Sequence, residues 1–271
     1  MKYAIGITGA TGSLGKILLK NKKNYKINIF KGDVANKNEV FNWVKNNKLN
    51  IIFHLAAIVP IKKVNKNRRL ANKVNFYGTK NLVDSILKIK NIKWFFFSST
   101  SHVYKSTNKK ISEKHIKKPI SFYGKSKLKA ENYIIKKFFN SKIKYCIGRI
   151  FSTANNNQKK NYLVPDLKFK IKKTKDKVIL KNLNHYRDFI SMEVISRIIF
   201  ILMKKNYQGI LNLGTGQRTY LKDIALVINK KYNKKIIFID NTKETSLIAD
   251  NRKLKKLIKF PLSKKIEKLI F

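Results

Sequence analysis

The chain has 271 residues, of which 43% are hydrophobic, so it can bury a sizeable core and is not disordered. Its single cysteine, Cys146, excludes an internal disulfide and a cysteine-rich metal site, and no apolar run is long enough to cross a bilayer. Lysine and arginine number 62 against 14 aspartate and glutamate, which gives a formal net charge of +48.

A glycine-rich turn, TGATGSLG at residues 8–15, lies between the first predicted strand and the first predicted helix. Gly9 permits a tight turn, Gly12 lets backbone N–H groups approach a ligand, and Gly15 lets the helix pack against the strand. The positive end of the helix dipole at this point favours a pyrophosphate. The order of strand, glycine turn and helix therefore predicts a dinucleotide site.

Apolar strands and amphipathic helices alternate through the first half of the chain. Asn36 and Glu39 form a capping pair for the second helix. Such alternation predicts an α/β fold with a doubly wound parallel sheet, covered by helices on both faces. We assign residues 1–150 to a dinucleotide-binding domain. The predicted strands are 3–7, 25–30, 51–56, 93–98 and 144–150, and the predicted helices are 13–20, 36–47, 67–89 and 122–139.

The pattern is looser beyond residue 150. A polar stretch, 153–161, is predicted as a loop. We assign 151–271 mainly to a small C-terminal α/β lobe that binds substrate, with about 186–214 returning to the first domain. Helices are predicted near 165–173, 191–205 and 220–231, and strands near 177–180, 209–213 and 235–239.

A cluster of hydroxyl side chains and a tyrosine–lysine pair follow one another in the first half. Ser98, Ser99 and Thr100 end the fourth strand, at the sheet edge where open α/β sheets bind ligands. Tyr123 and Lys127 lie four residues apart and share one helix face. A lysine cation stabilises a phenolate, which suits the tyrosine to proton transfer. The combination predicts an acid–base site, although a tyrosine–lysine pair alone is common on helix surfaces.

These segments, in this order, resemble the extended short-chain dehydrogenase/reductase family, in particular its nucleotide-sugar epimerases, dehydratases and reductases. The resemblance covers nearly the whole chain and implies a Rossmann-type fold, a nicotinamide cofactor and a nucleotide-sugar substrate. The matching segments are TGxxGxxG at 8–15, GD at 32–33, HLAA at 54–57, VNxxGTxNL at 74–82, SSxxxVY at 98–104, YxxxK at 123–127, RDFI at 187–190 and LNLGTG at 211–216.

The resemblance also implies roles for individual residues. Tyr123 would move a proton on or off a sugar hydroxyl or carbonyl, and Thr100 would orient the substrate oxygen. Lys127 would lower the pKa of Tyr123 and hold the nicotinamide ribose. The residues expected to bind the cofactor are Gly9, Thr11, Gly12, Ser13, Leu14, Gly15, Asp33, Val34, Leu55, Ala56, Ala57, Asn75, Ser98, Tyr123 and Lys127.

The choice between NAD and NADP stays open. Only 17 residues separate Gly15 from Asp33, which leaves room for a single strand. The acidic residue that usually ends the second strand and holds the adenosine ribose is not identifiable, and Lys31 near that place could meet a 2′-phosphate instead. We expect NAD, with NADP as the alternative.

The expected substrate contacts are Thr100, Ser101, His102 and Arg187. Arg187 would clamp a substrate phosphate, where a planar guanidinium suits bidentate binding, or would pair with Asp188 instead. The family's dehydratases usually carry Asp-Glu where this chain has Ser101 and His102, which disfavours a dehydratase. His102 would be either a structural histidine or an acid–base group.

The other histidines predict no metal site. His54 lies inside an apolar strand, so we expect it to pack near the cofactor. His115 and His185 have no partners at the spacing of metal ligands.

The resemblance implies hydride transfer with a nucleoside-diphosphate sugar, and it leaves two reactions open. An epimerase returns the hydride to the same sugar, whereas a 4-keto reductase takes it from free NAD(P)H. The SST and VY segments resemble epimerases, and the compact length resembles 4-dehydrorhamnose-type reductases. We favour the epimerase.

The charge allows a third reading, a non-catalytic RNA or polyanion binder, because such a field attracts polyanions. However, the excess is mostly lysine and is spread over every segment, as in a chain from an adenine/thymine-rich genome. We therefore expect compositional drift, with only non-specific nucleic-acid binding. We also expect no membrane association, a cytoplasmic location and a homodimer formed through the helices at 67–89 and 122–139.

Overall fold

A computed structural model describes residues 3–22, 25–59, 61–154, 158, 162–262 and 270, without the side chains of residues 61 and 62. Its strands are β1 (Ala4–Thr8), β2 (Lys26–Ile29), β3 (Ile51–His54), β4 (Trp94–Thr100), β5 (Lys144–Ile150), β6 (Ser152–Ala154), β7 (Lys177–Lys181), β8 (His185–Arg187), β9 (Phe189–Ser191), β10 (Gly209–Leu213), β11 (Thr219–Tyr220), β12 (Lys235–Ile239) and β13 (Thr245–Leu247). Its helices are α1 (Ser13–Lys20), α2 (Lys37–Asn46), α3 (Ile61–Lys66), α4 (Arg68–Asn72), α5 (Gly78–Ile89), α6 (Phe122–Phe138), α7 (Leu163–Lys173), α8 (Met192–Lys204), α9 (Leu221–Asn229) and α10 (Arg252–Lys255).

The central element is a six-stranded parallel sheet in the order β10-β5-β4-β3-β1-β2. The strand order reverses between β1 and β3, and open α/β sheets bind ligands at such a switch point. The register pairs Thr8 with His54 and His54 with Phe97, so the carboxyl ends of β1, β3 and β4 meet at one edge. The predicted doubly wound α/β fold is confirmed.

Helices cover both faces of this sheet because the apolar residues of its strands point to both sides. On one face, Leu18 of α1 and Ile198 of α8 belong to a buried cluster with Ile5 and Phe53. On the other face, residues of α2, α5 and α6, such as Leu82 and Ile134, pack against the alternate strand residues. Burial on both faces explains the near-continuous apolar strands.

A smaller set of elements lies beyond β5. The strands β7 and β12 form a parallel pair, β11-β8-β13 form a three-stranded sheet, and β6 pairs with β9. Their apolar side chains pack with α7 and α9 in a separate core that includes Leu180 and Ile224. β10 rejoins the central sheet by pairing with β5. The assignment of domain limits at about 150 and at 186–214 stays a prediction.

Several predicted elements differ in detail. The strand predicted at 51–56 ends at His54, and the helix predicted at 67–89 consists of α4, a π-helical turn (Lys73–Tyr77) and α5. The predicted loop 153–161 begins inside β6, and 155–157 and 159–161 lie outside the described residues. The strands β6, β8, β9, β11 and β13 were not predicted, because two or three residues are too few to show a period.

Over the described part of the chain, no helix is long and apolar enough to cross a membrane. Nor does any cluster of three or more histidine, cysteine or acidic side chains there offer a metal site. Cys146 is buried in β5 as a free thiol.

Candidate active site

The glycine turn packs against the segment that follows β3. Gly9 has a φ of +74°, and a Cβ there would lie 2.5 Å from the backbone nitrogen of Ala56. A Cβ at Gly15 would overlap the backbone of the same turn. Both positions therefore need glycine, as predicted.

Gly12 lies at the N-terminus of α1, where backbone N–H groups are expected to approach a ligand. Its own N–H donates to the carbonyl of Gly9 at 3.1 Å, so it is not available to a ligand. No side chain caps the first turn of α1, and within the described residues the N–H groups of Ser13 and Leu14 have no partner. Those two groups, at the positive end of the helix, are suited to an anion.

His54 is a neutral link between β1 and α5. The Thr79 hydroxyl donates to the Asn75 carbonyl at 2.8 Å, so it accepts from His54 Nε2 at 2.9 Å. That leaves His54 Nδ1 to accept from the Thr8 hydroxyl at 2.6 Å. Burial and the nearby charge of Lys127 lower the pKa of His54 to about 3. The histidine is fully packed, as expected, and its polar atoms are used within the protein.

Asn75 lies in the π-helical turn and ties the segment after β3 to α6. Its amide pairs with both backbone groups of Ile58, at 2.8 and 3.1 Å, and donates to the Ser126 hydroxyl at 3.3 Å. Ser126 in turn donates to the Tyr123 carbonyl at 2.8 Å. Because π-turns within helices often occur at functional sites, this departure from a continuous helix fits the location. Leu55, Ala56 and Ala57 are half-buried in the segment that Asn75 holds.

Tyr123, Thr100 and His102 meet at the carboxyl end of β4. Tyr123 is 7% exposed, and the Thr100 side chain lies close enough to its phenol to affect its pKa. The rings of His102 and Tyr123 are in contact, with centroids 6.1 Å apart and planes at 67° to each other. Ser101 follows Thr100 in the chain and is buried at the start of a 3₁₀ turn (Ser101–Val103). Ser98 is half-buried in β4.

The expected lowering of the Tyr123 pKa by Lys127 is not found. Burial raises the pKa of Tyr123 above its usual range, and only the neighbouring Thr100 side chain opposes this. Lys127 is also fully buried, with its Nζ 3.9 Å from the centre of the Phe97 ring. Burial lowers the pKa of Lys127 to about 7, which weakens the stabilising charge at neutral pH.

A buried polar network lies directly behind these residues. The Glu131 carboxylate accepts from the Arg149 guanidinium at 2.7, 3.1 and 3.2 Å and from the Ser99 hydroxyl. Arg149 also donates to the Tyr104 hydroxyl at 2.8 Å, and Tyr104 donates to Asn212 at 2.6 Å. The network therefore fixes the end of β4 against α6, β5 and β10. Its one signal in the sequence is that Glu131 follows Lys127 by four residues on the same helix face.

Arg187 and Asp188 have separate partners, so the alternative of an Arg187–Asp188 pair is wrong. The Arg187 guanidinium donates to the Tyr186 carbonyl at 2.7 Å and to both oxygens of Thr245 at 2.9 and 3.0 Å. Burial lowers the pKa of Arg187 to about 10, so it stays charged at neutral pH. Asp188 accepts from the backbone and hydroxyl of Thr215 and from two further N–H groups, those of Gly216 and Ala249.

The edge beyond β2 carries the predicted adenosine contacts. Asp33 and Lys31 are exposed, and Val34 is buried against Gly78. The Glu39 carboxylate caps this edge by accepting from the Asp33 N–H at 2.9 Å. β2 is the only strand that the structure describes between α1 and Asp33, as the short spacing predicted.

The chain is similar to known proteins in sequence and in fold. The family model described as "GDP-mannose 4,6 dehydratase" matches residues 7–268. A curated relative, GDP-6-deoxy-D-talose 4-dehydrogenase from Aggregatibacter actinomycetemcomitans, is 31% identical over 224 residues, which are 78% of this chain and 74% of the relative.

Two solved structures have the same fold. The structure of MoeE5 in complex with UDP-glucuronic acid and NAD has a TM-score of 0.86 at 19% identity, over 98% of this chain and 96% of that one. The structure of RMD from Pseudomonas aeruginosa complexed with NADPH has a TM-score of 0.87 at 15% identity, over 99% and 96%.

Proposed function

The chain belongs to the GDP-mannose 4,6-dehydratase family of extended short-chain dehydrogenases/reductases, and we propose that it catalyses hydride transfer at C4 of a nucleoside-diphosphate sugar. The observation that carries this proposal is the meeting of Thr100 with Tyr123 at the carboxyl end of β4, one helical turn from Lys127. Two hydroxyls in a buried site, beside a lysine, form the set that proton transfer at a sugar oxygen requires.

The residues present fit a nicotinamide dinucleotide. The uncapped N–H groups of Ser13 and Leu14 would hold its pyrophosphate, and Asp33 with Val34 would hold the adenosine. Lys127 would hold the nicotinamide ribose. When bound, the cofactor accepts or supplies the hydride. Similar structures carry NAD or NADPH. Lys31 is exposed and could meet the 2′-phosphate of NADP, so both NAD and NADP remain candidates for this chain.

Tyr123 moves the proton that accompanies this chemistry. Its phenol oxygen takes a proton from the C4 hydroxyl when the sugar is oxidised and returns one when a 4-keto group is reduced. Thr100 lies beside Tyr123 and would orient the substrate oxygen. Because burial opposes a phenolate, proton transfer by Tyr123 would be favoured by a positive charge, which Lys127, one helical turn away, would supply when it is protonated.

Arg187 would hold the substrate's diphosphate. It remains charged although largely buried, and its three hydrogen bonds to the protein fix the plane of the guanidinium. A fixed planar donor suits a phosphate group. Thr100, Ser101 and His102 would contact the sugar.

Dehydratase activity is disfavoured for this member of the family. Elimination of water needs a carboxylic acid and a carboxylate beside Thr100, and Ser101 and His102 stand there. The carboxylates of Glu113 and Glu131 are engaged elsewhere, because they accept from the Asn212 N–H and from the Arg149 guanidinium.

The proposed reaction is epimerisation, in which the hydride returns to the same sugar. The SST and VY segments around Thr100 support this choice. A 4-keto reductase is the second candidate, favoured by the similarity to a GDP-6-deoxy-D-talose 4-dehydrogenase. The two reactions are distinguished by denaturing the purified protein and measuring the nicotinamide cofactor that it releases. An epimerase retains stoichiometric NAD(H) through purification, whereas a reductase releases and rebinds its cofactor in each turnover.

Tyr123→Phe tests the proposal itself. We expect turnover on any accepted nucleotide sugar to fall by roughly 10²–10⁴-fold, because the proton-transfer group is removed. Tyr145→Phe is the matched control, since Tyr145 is a half-buried tyrosine of β5 outside the site. Near-wild-type turnover of Tyr123→Phe on every accepted nucleotide sugar would contradict the proposal.

We also propose a homodimer formed through α5 and α6. Exposed aromatic side chains lie beside these helices, with Tyr77 46% and Phe139 81% exposed. Lys129 lies over the ring of Phe76, so lysines on this face can cover aromatic surface. Light scattering on purified protein should give about twice the chain mass, and a monomer at micromolar concentration would contradict it.

A further inference from the structure

Lys127 has a buried ammonium group that lacks a hydrogen-bond partner among the described residues. Its side chain is 1% exposed, and its Nζ lies 3.9 Å from the centre of the Phe97 ring. Three N–H donors in such a place are available to a ligand, but the charge on them is costly to bury. A nearby negative charge is needed to offset that cost if the lysine is to stay protonated.

Two other titratable groups near Lys127 are neutral and cannot supply this charge. Burial and the charge of Lys127 lower the pKa of His54 on β3 to about 3, so its imidazole is uncharged at pH 7. Burial raises the pKa of Tyr123, one turn earlier on α6, so its phenol keeps its proton.

The Glu131 carboxylate lies one helical turn after Lys127 on the same face of α6, and its side chain is 0% exposed. Both side chains also contact one face of β4. Lys127 lies over Phe97, and Glu131 accepts from the hydroxyl of Ser99, which is two residues further along the strand. Among the described residues, Glu131 is the one whose charge raises the pKa of Lys127, against the effect of burial.

Arg149 fixes this carboxylate from β5. Its guanidinium donates to both oxygens of Glu131 at 2.7 to 3.2 Å. Its Nη1 donates instead to the Tyr104 hydroxyl at 2.8 Å and to the Glu113 carbonyl at 3.1 Å. Arg149 therefore holds Glu131 in one place, and Glu131 is the member of the pair that shares a helix face with Lys127.

We propose that Glu131 is a positioning residue of this site, which acts through Lys127 by keeping its ammonium group protonated beside Tyr123. The effect on turnover rests on the proposed function, in which a protonated Lys127 favours the phenolate of Tyr123. The buried ion pair then serves the reaction as well as the packing of β5 against α6.

The charge of Lys127 can be measured without turnover, by NMR of purified protein labelled with [ε-¹³C]lysine. The Cε signal that titrates near pH 7 and is missing in Lys127→Met belongs to Lys127, because exposed lysines titrate near about 10.4. In Glu131→Gln the midpoint should fall by at least about one pH unit, because the opposite charge is lost. The double variant with Arg149→Met should shift in the same direction. It leaves no unpaired charge, so it decides the result if the single variant does not fold.

Arg149→Lys is the matched control, because it disturbs the same hydrogen bonds but leaves the Glu131 charge and a cationic partner. Its midpoint should stay at the wild-type value. An unchanged or higher midpoint in the folded Glu131 variant overturns the proposal. A fall in Arg149→Lys as large as that in Glu131→Gln overturns it too, since packing rather than charge would then control Lys127.

The pH profile of turnover tests the consequence for the reaction. In wild type, kcat should fall as the pH rises through the Lys127 midpoint. In the folded Glu131 variant this fall should come at least about one pH unit lower, with KM for the nucleotide sugar little changed. A kcat profile that stays in place while the NMR midpoint moves overturns the positioning role. Failure of the proposed function is distinguishable, because Tyr123→Phe would then keep its turnover whatever the NMR midpoints show.

Discussion

Replacing Glu131 by Gln should destabilise the protein strongly, because it breaks a completely buried ion pair. Glu131 and Arg149 are 0% and 1% exposed, and three hydrogen bonds of 2.7 to 3.2 Å join them. Removing one partner leaves the other charge buried without compensation, which costs about 3–5 kcal/mol. For a chain of this size, that cost corresponds to a fall in Tm of roughly 6–20 °C.

Chemical denaturation of wild type, Glu131→Gln, Arg149→Met and the double variant measures this loss of stability and the interaction free energy between the two side chains. The double variant should lose clearly less than the sum of the two single losses, because no unpaired charge remains. Arg252→Gln is the control, since its ion pair with Asp250 has the same 2.6–2.7 Å distance but a guanidinium that is 85% exposed. A loss below about 1 kcal/mol in Glu131→Gln, or additive losses in the double variant, would refute the reasoning.

Three further predictions concern stability and charge. Burial lowers the Lys127 pKa from 10.5 to about 7, so the lysine destabilises the folded state most below pH 7 and no longer does so above about pH 10.5. Thermal denaturation should thus show Lys127→Met more stable than wild type at pH 6, with the gain shrinking towards pH 10; a gain that grows with pH would contradict this. Asp188→Asn should cost about 2–3 kcal/mol in urea denaturation, because an amide cannot accept all the hydrogen bonds from Thr215, Gly216 and Ala249; a loss near zero would show that the carboxylate is not needed. RNA binding at low salt should disappear near about 0.3 M salt, because exposed lysines are then screened; binding that persists would revive the polyanion-binding alternative.

The sequence by itself determined the central sheet, because hydrophobic period and glycine positions are local properties. The strand predicted at 144–150 is β5, Lys144–Ile150, and the strand predicted at 209–213 is β10, Gly209–Leu213. Tyr123 and Lys127 share a helix face for the same local reason. The position of Thr100 at a strand end is local too, and parallel strands bring such ends to one edge.

Only the tertiary structure decided how these groups are charged and held. Arg149 meets Glu131 because β5 packs beside α6, and Arg187 bonds to Thr245, 58 residues away, rather than to its neighbour Asp188. The pKa of Tyr123 rises because packing removes water around it, which no spacing of residues can indicate. Hydrogen-bond partners and desolvation depend on residues that are distant in sequence, so they are fixed only when the chain is folded.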